Sequence, residues 1–244
     1  MIKLTLIQKP SELTAEVERQ LVQEFKANGT SVWKKPYIEK ALLKMSHNKC
    51  AYSEQFVGQK SSYMEIDHFK YKHTYPDEVV RWGNLLPSCK KCNDTKHDLD
   101  VMSEPIVNPL VDEPRDYLYV KAFRFYERNE KGYTTKEALA LNDRAHFVTP
   151  RSNIGFGIAD HLEALFDKLK ADDTDRKRRN TLSKIKTTLE SCGPESEYSA
   201  VVSTYILYEF DTYISIEQYL RNEGMWDSEL DDIKSMLESI AMPK

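Results

Sequence analysis

Asp67-His68, Asn84, Asn93 and His97 follow one another between Glu65 and His97, with Cys50, Cys89 and Cys92 on either side of the Asp-His pair. Carboxylate and amide oxygens suit Mg²⁺ or Mn²⁺, and a histidine in the set also admits Mn²⁺ or Ni²⁺. Imidazole, with an unperturbed pKa of about 6.5, is the side chain best placed to take a proton near neutral pH. These are the parts that phosphodiester hydrolysis needs: a cation on the phosphoryl and leaving oxygens, and a base for the water. Asp67 and His68 are adjacent on a stretch that reads as strand, so they point in different directions and can serve different partners, one a metal and the other a water or substrate. Asn84 comes 16 residues after His68, and His97 comes 13 after Asn84. Asn93 and His97 are four apart, so they share a face if Lys90 to Asp98 is helical and can converge on one ion.

Lys90, Lys91 and Lys96 lie on the same short segment and are candidates for contacts to backbone phosphates. Lys70-Tyr71-Lys72-His73 reads equally as a nucleic-acid contact or as a solvated loop. His73, His146 and His161 have no such company and read as surface or core histidines. Cys192 stands alone and reads as a small core or surface residue.

The series Asp-His, Asn, Cys-x2-Cys-Asn-x2-Lys within Asn48 to His97 resembles the HNH endonucleases, whose core is a strand pair and a helix around one divalent metal. The resemblance implies that Asp67 is the first metal ligand and His68 the general base that activates water. It further implies that Asn84 orients that base, and that Asn93 and His97 supply the remaining protein ligands, leaving positions for water and a phosphate oxygen. Many members of the family also carry two Cys-x2-Cys pairs that bind a structural Zn²⁺. Here Cys50-Ala51-Tyr52-Ser53 puts a serine, a poor zinc ligand, where the second cysteine would stand. Either Cys50, Cys89 and Cys92 bind zinc with Glu54, His47 or water as the fourth ligand, or the motif is held without it.

The order of parts is similar to the HNH nuclease subunit of Septu-type antiphage systems, including the version encoded with a retron reverse transcriptase. It runs from an N-terminal strand and helix through Lys49–Glu54, Glu65–Phe69 and Asn84–Cys89 to a helical remainder. That resemblance implies a toxic effector, restrained until infection, that cuts DNA or RNA beside an ATPase of the ABC and SMC type. In the retron version the complex includes the reverse transcriptase and msDNA. A reading from another class is a catalytically silent, zinc-stabilised nucleic-acid-binding or partner-docking module; such a module has no need of Asp67, His68, Asn84 and Asn93 together.

Several elements must position these residues. Leu13, Val17, Leu21, Val22 and Phe25 recur at helical spacing between Ser11-Glu12-Leu13-Thr14 and Asn28-Gly29, which predicts a capped amphipathic helix. Pro36 to about His47 predicts a second, with Ile38, Leu42 and Met45 on one stripe. Val120 to Phe125 reads as strand, with Asn129-Glu130-Lys131-Gly132 as a hairpin turn. Beyond Thr134 the chain reads as helix: one through Ile158 to Leu169, one capped by Thr174 or Asp175, a long one from Tyr198 to Leu220, and an acidic one from Asp227 to Ile240. The fold class expected is α+β, mostly helical, with a small ββα-metal motif among helices. The expected domains are 1–110, with the nuclease motif, and 111–244, mainly helical and suited to partner docking.

With 35 Lys/Arg against 39 Asp/Glu, the net charge of −4 argues against a protein that coats nucleic acid through bulk positive charge. The distribution is uneven: residues 34–98 hold 12 basic and 8 acidic side chains, and residues 99–244 hold 19 and 27. Arg176-Lys177-Arg178-Arg179 with Lys184 and Lys186 is either a nucleic-acid path or a solvated helix face. Asp227, Glu229, Asp231 and Asp232 suit a basic groove on a partner or simply a helix start. No stretch is long and apolar enough to span a membrane and no secretory signal is expected, so a cytoplasmic protein with reduced thiols is the expectation.

Overall fold

The Thr14 hydroxyl accepts from the Val17 N–H, and Gly29 closes the same helix at φ 67°, so α1 runs Ala15–Asn28 between the cap and the stop predicted for it. Pro36, whose missing N–H costs nothing in a first turn, starts α2, Pro36–Met45, which buries Ile38, Leu42 and Met45. These statements come from a computed structural model that describes residues 1–58 and 63–244. The chain is α+β and mostly helical, as expected. No helix among the described residues is long and apolar enough to cross a membrane. Residues 1–9 form no strand; the Leu4 N–H instead donates to the Pro109 carbonyl at 2.8 Å.

Contacts divide the chain into two units: Met1–Leu118 with Tyr126–Asn142, and Tyr119–Phe125 with Asp143–Lys244. The first therefore extends past residue 110, where the sequence alone suggests a boundary. The Val107 N–H donates to the Thr135 hydroxyl at 2.8 Å, and the Cys92 thiol to the Leu139 carbonyl at 3.6 Å. Those bonds tie α4, Glu130–Ala138, to the nuclease segment.

The core of the first unit is a two-stranded antiparallel sheet followed by a short helix. In it β1, Glu65–His68, pairs with β2, Leu85–Ser88, in the register Asp67↔Leu86 and His68↔Leu85. The chain then enters α3, Lys90–Lys96, which packs on β1. The expected hairpin turn at 129–132 is not formed. β3, Leu118–Lys121, pairs with β4, Arg124–Glu127, across a turn at Ala122 and Phe123, both at positive φ. Asn129 instead caps α4 by accepting from the Gly132 N–H, so the sequence signal of a turn is here the signal of a helix start. Gly132 is needed for space: a Cβ there would sit 2.0 Å from the Tyr117 carbonyl oxygen. Gly132→Ala is expected to cost about 1–3 kcal/mol through this backbone clash, read from urea midpoints, despite the better helix propensity of alanine.

The second unit is helical. α5, Thr149–Ala171, buries Ala159, Leu162, Leu165 and Leu169, and Thr174 caps α6, Asp175–Glu190. The single long helix expected from Tyr198 to Leu220 is two: α7, Ser199–Tyr208, and α8, Asp211–Asn222. The break falls at Glu209, whose N–H closes onto the Tyr205 carbonyl and whose carboxylate accepts from the Ala122 N–H at 2.8 Å. Asp227 caps α9, Ser228–Ile240. The basic run on α6 and the acidic start of α9, each a candidate surface in the sequence, are joined through Lys186, and Arg178 is paired outside both runs. Lys186 bridges Asp227 and Glu229, and Arg178 pairs with Glu223 at 2.7 Å.

Candidate active site

β1 presents Asp67 and His68 on opposite faces of its strand, yet both are buried and both line one cavity of about 260 Å³, together with Asn93 and His97. The Asp67 carboxylate accepts from the Tyr52 hydroxyl through Oδ2 and from Lys96 Nζ through Oδ1 at 3.0 Å. Burial, and after it the Asp67 charge, push the Tyr52 phenol well above its ordinary range, so it remains a donor. Each Asp67 oxygen keeps a lone pair. Asp67 and Asn93 thus give the cavity hard oxygen donors, a set that fits Mg²⁺ or Mn²⁺.

His68 Nε2 lies 2.9 Å from the Val79 carbonyl oxygen. A carbonyl only accepts, so Nε2 carries the hydrogen and Nδ1 is left as the acceptor. The ring stands edge-on to Trp33, centroids 4.6 Å apart. Burial lowers its pKa to about 4, which keeps the imidazole neutral at neutral pH.

The Asn84 amide makes no hydrogen bond to the His68 ring. Its Oδ1 accepts from the Lys70 N–H at 2.8 Å, and its Nδ2 donates to the carbonyls of Lys70 and Glu78 at 3.2 and 3.1 Å. It therefore clamps the loop between β1 and β2, including the residue before Val79. Asn84→Ala would leave three backbone groups without their partner, and a loss of about 2 kcal/mol is expected. Faster amide hydrogen exchange at Lys70 is the local sign to look for; protection equal to wild type would remove this clamp.

His97 lies just past α3, in a conformation (φ 45°, ψ −114°) that leaves the helix. It therefore does not continue the helical face of Asn93, and it stands at the exposed rim with Nδ1 2.8 Å from Asp98. Of the three lysines proposed for phosphates, Lys96 requires correction. Lys96 is buried and donates to Asp67 and to the His68 carbonyl at 2.7 Å. Lys90 pairs with Asp94 on the exposed face of α3 at 3.1 Å, and neither it nor Lys91 lines the cavity. Its lysines are Lys34 and Lys72. Trp33 and Lys34 come from the segment between α1 and α2, outside any motif. The only sequence signal that could have found them is the aromatic–basic run Trp33-Lys34-Lys35.

Beside the site, the thiols of Cys50, Cys89 and Cys92 lie within 4.8 Å of one another, all buried. The Ser53 hydroxyl, at the position where the sequence lacks a fourth cysteine, is 3.6 Å from Cys89 Sγ. Burial opposes ionisation of Cys50, but hydrogen bonds from Cys89, Cys92 and Ser53 hold it well below the ordinary thiol range. Cys89 is pushed up to about 12, first by its bond to Cys50, and burial raises Cys92. Cys192 is buried and outside the cluster.

Residues 49–99 match the HNH endonuclease family. Over 243 residues, 98% of this chain and 94% of the relative, the sequence is 38% identical to the Septu protein PtuB of Bacillus thuringiensis. It is also 28% identical to the Septu protein PtuB of Bacillus mycoides (strain KBAB4) over 145 residues, 46% of this chain and 49% of that protein. No solved structure matches the chain.

Proposed function

The chain belongs to the PtuB family of Septu proteins and carries an HNH endonuclease domain, and on that footing we propose that it is a metal-dependent endonuclease of antiphage defence that hydrolyses nucleic-acid phosphodiester bonds. The observation that carries this reading is the single cavity that gathers Asp67, His68, Asn93 and His97. Asp67 and Asn93, with His97 at the rim, would hold a divalent cation, which when bound supplies charge stabilisation at the phosphoryl and leaving oxygens. His68, neutral and with Nδ1 as acceptor, takes the proton of the attacking water. Asn84 holds the Val79 segment that fixes its tautomer, and Lys96 balances the buried Asp67 charge.

The mainly helical second unit is the part we assign to docking an ATPase of the ABC and SMC type, and a retron reverse transcriptase with its msDNA is the wider assembly this family resemblance suggests. Cys50, Cys89 and Cys92 are a candidate zinc set that staples the loop before β1 to the start of α3.

The test is cleavage by the purified protein, with and without the ATPase encoded beside it, on plasmid DNA, single-stranded DNA and total RNA, in Mg²⁺, Mn²⁺ or EDTA. Cutting that needs the metal is expected, and the substrate cut names the class. Binding of nucleic acid with no cutting under any of these conditions favours the silent binding module instead.

A further inference from the structure

We propose that Lys72 is the phosphodiester-binding cation of this cavity, seated for that purpose on the rings of Trp33 and Tyr71. The proposal rests on the nuclease reading for the identity of the substrate, and on geometry for the residue. Lys72 Nζ lies 5.5 Å from the centroid of the Trp33 ring and 5.1 Å from that of Tyr71, and all three residues line the same cavity as Asp67 and His68. Cation–π contacts of this kind hold an ammonium in place without neutralising it.

Lys34, the cavity's other lysine, is exposed and has no such seat on the rings, and other lysines nearby are bound to carboxylates. Lys70 is bound to Glu78 at 2.7 Å, Lys90 to Asp94 and Lys96 to Asp67. Among the described residues no carboxylate forms an ion pair with Lys72, so its charge is directed to the cavity, half-buried beside the base. Burial lowers its pKa, with Asp67 opposing that and Lys96 adding to it. The Trp33 ring also packs at right angles to His68, so one side chain positions both the base and the phosphate contact. The ligand this arrangement suits is a phosphodiester monoanion. Such a contact is to backbone and carries no sequence information.

The experiment uses the full chain as wild type, Lys72→Met and Lys72→Arg. Binding to short duplex DNA, single-stranded DNA and RNA is followed by fluorescence anisotropy in EDTA over a range of salt, and cleavage is followed separately with Mn²⁺. Lys72→Met is expected to weaken binding several-fold and to reduce the slope of log K against log salt by about 1, the loss of one phosphate contact. Lys72→Arg, which keeps the charge, is expected to restore most of that slope, and in cleavage KM is expected to rise more than kcat falls. A purely structural role leaves the salt slope unchanged. An unchanged slope and affinity in Lys72→Met, or a wild type that binds none of the three probes, overturns the proposal. Because the binding is measured in EDTA, a protein that binds through Lys72 but never cuts leaves this inference standing and removes the nuclease reading instead.

Discussion

Replacing His68 by alanine is expected to slow metal-dependent cleavage by about 10²- to 10⁴-fold, the size of a general-base contribution, with nucleic-acid binding retained. The reason lies in how the ring is held. Nε2 donates to the Val79 carbonyl and Trp33 closes over the edge of the ring, so Nδ1 is the one nitrogen able to accept a proton. The acceptor must be neutral, and with a pKa lowered to about 4 by burial the imidazole is mostly neutral from about one pH unit above that value. The acid loss of rate due to His68 should therefore lie well below the pH of about 6.5 at which an exposed histidine would lose its function. Alanine also removes packing against Trp33, so His68→Gln, whose amide can still donate to Val79, separates loss of the base from loss of the fold. Cleavage at the wild-type rate by His68→Ala would take His68 out of the mechanism.

Lys96→Met is expected to lower the stability of the protein by about 3–5 kcal/mol, the usual consequence of removing one partner of a buried ion pair. Lys96 and Asp67 are both almost wholly buried and their charged atoms lie 3.0 Å apart, and the ammonium also donates to the His68 carbonyl. Methionine matches the length and bulk of the side chain, so the loss is electrostatic rather than a cavity. It leaves the Asp67 carboxylate with the Tyr52 hydroxyl alone. A divalent cation held by that carboxylate replaces part of the missing charge, so Mn²⁺ is expected to raise the melting temperature of Lys96→Met more than that of the wild type. A phosphate-binding lysine would behave in the opposite way: its loss would weaken nucleic-acid binding and leave the melting temperature in place. Thermal unfolding with and without Mn²⁺, beside the binding assay, decides between the two.

Side-chain chemistry and its order were legible along the chain. Asp67-His68 on a strand, Asn93 on the following helix, and the gap in the thiolate set at Ser53 were all readable because each is local: strand alternation, helix caps and residue spacing act over a few residues. So were α1, α2, α6 and α9, whose caps at Thr14, Thr174 and Asp227 and whose opening proline at Pro36 occur within the segments they bound. The break between α7 and α8 was not legible, since it depends on the Glu209 carboxylate meeting the Ala122 N–H from 87 residues away. Nor was the role of Gly132, which is set by the Tyr117 carbonyl above it.

The same division runs through the site. The sequence alone determined which residues were able to hold a metal and which to take a proton, because those are properties of the side chains. Only the tertiary structure decided which lysine neutralises Asp67 and which lysines line the cavity. Lys96 lies one turn along α3 from Cys92, on the side that packs against β1, and is drawn under Asp67. Lys72 lies in a loop that Asn84 folds back until it meets Trp33, and no spacing along the chain records that meeting. Charge is written in the sequence, but its solvation and its partner are set by packing, and these decide whether a lysine supports the fold or binds the substrate.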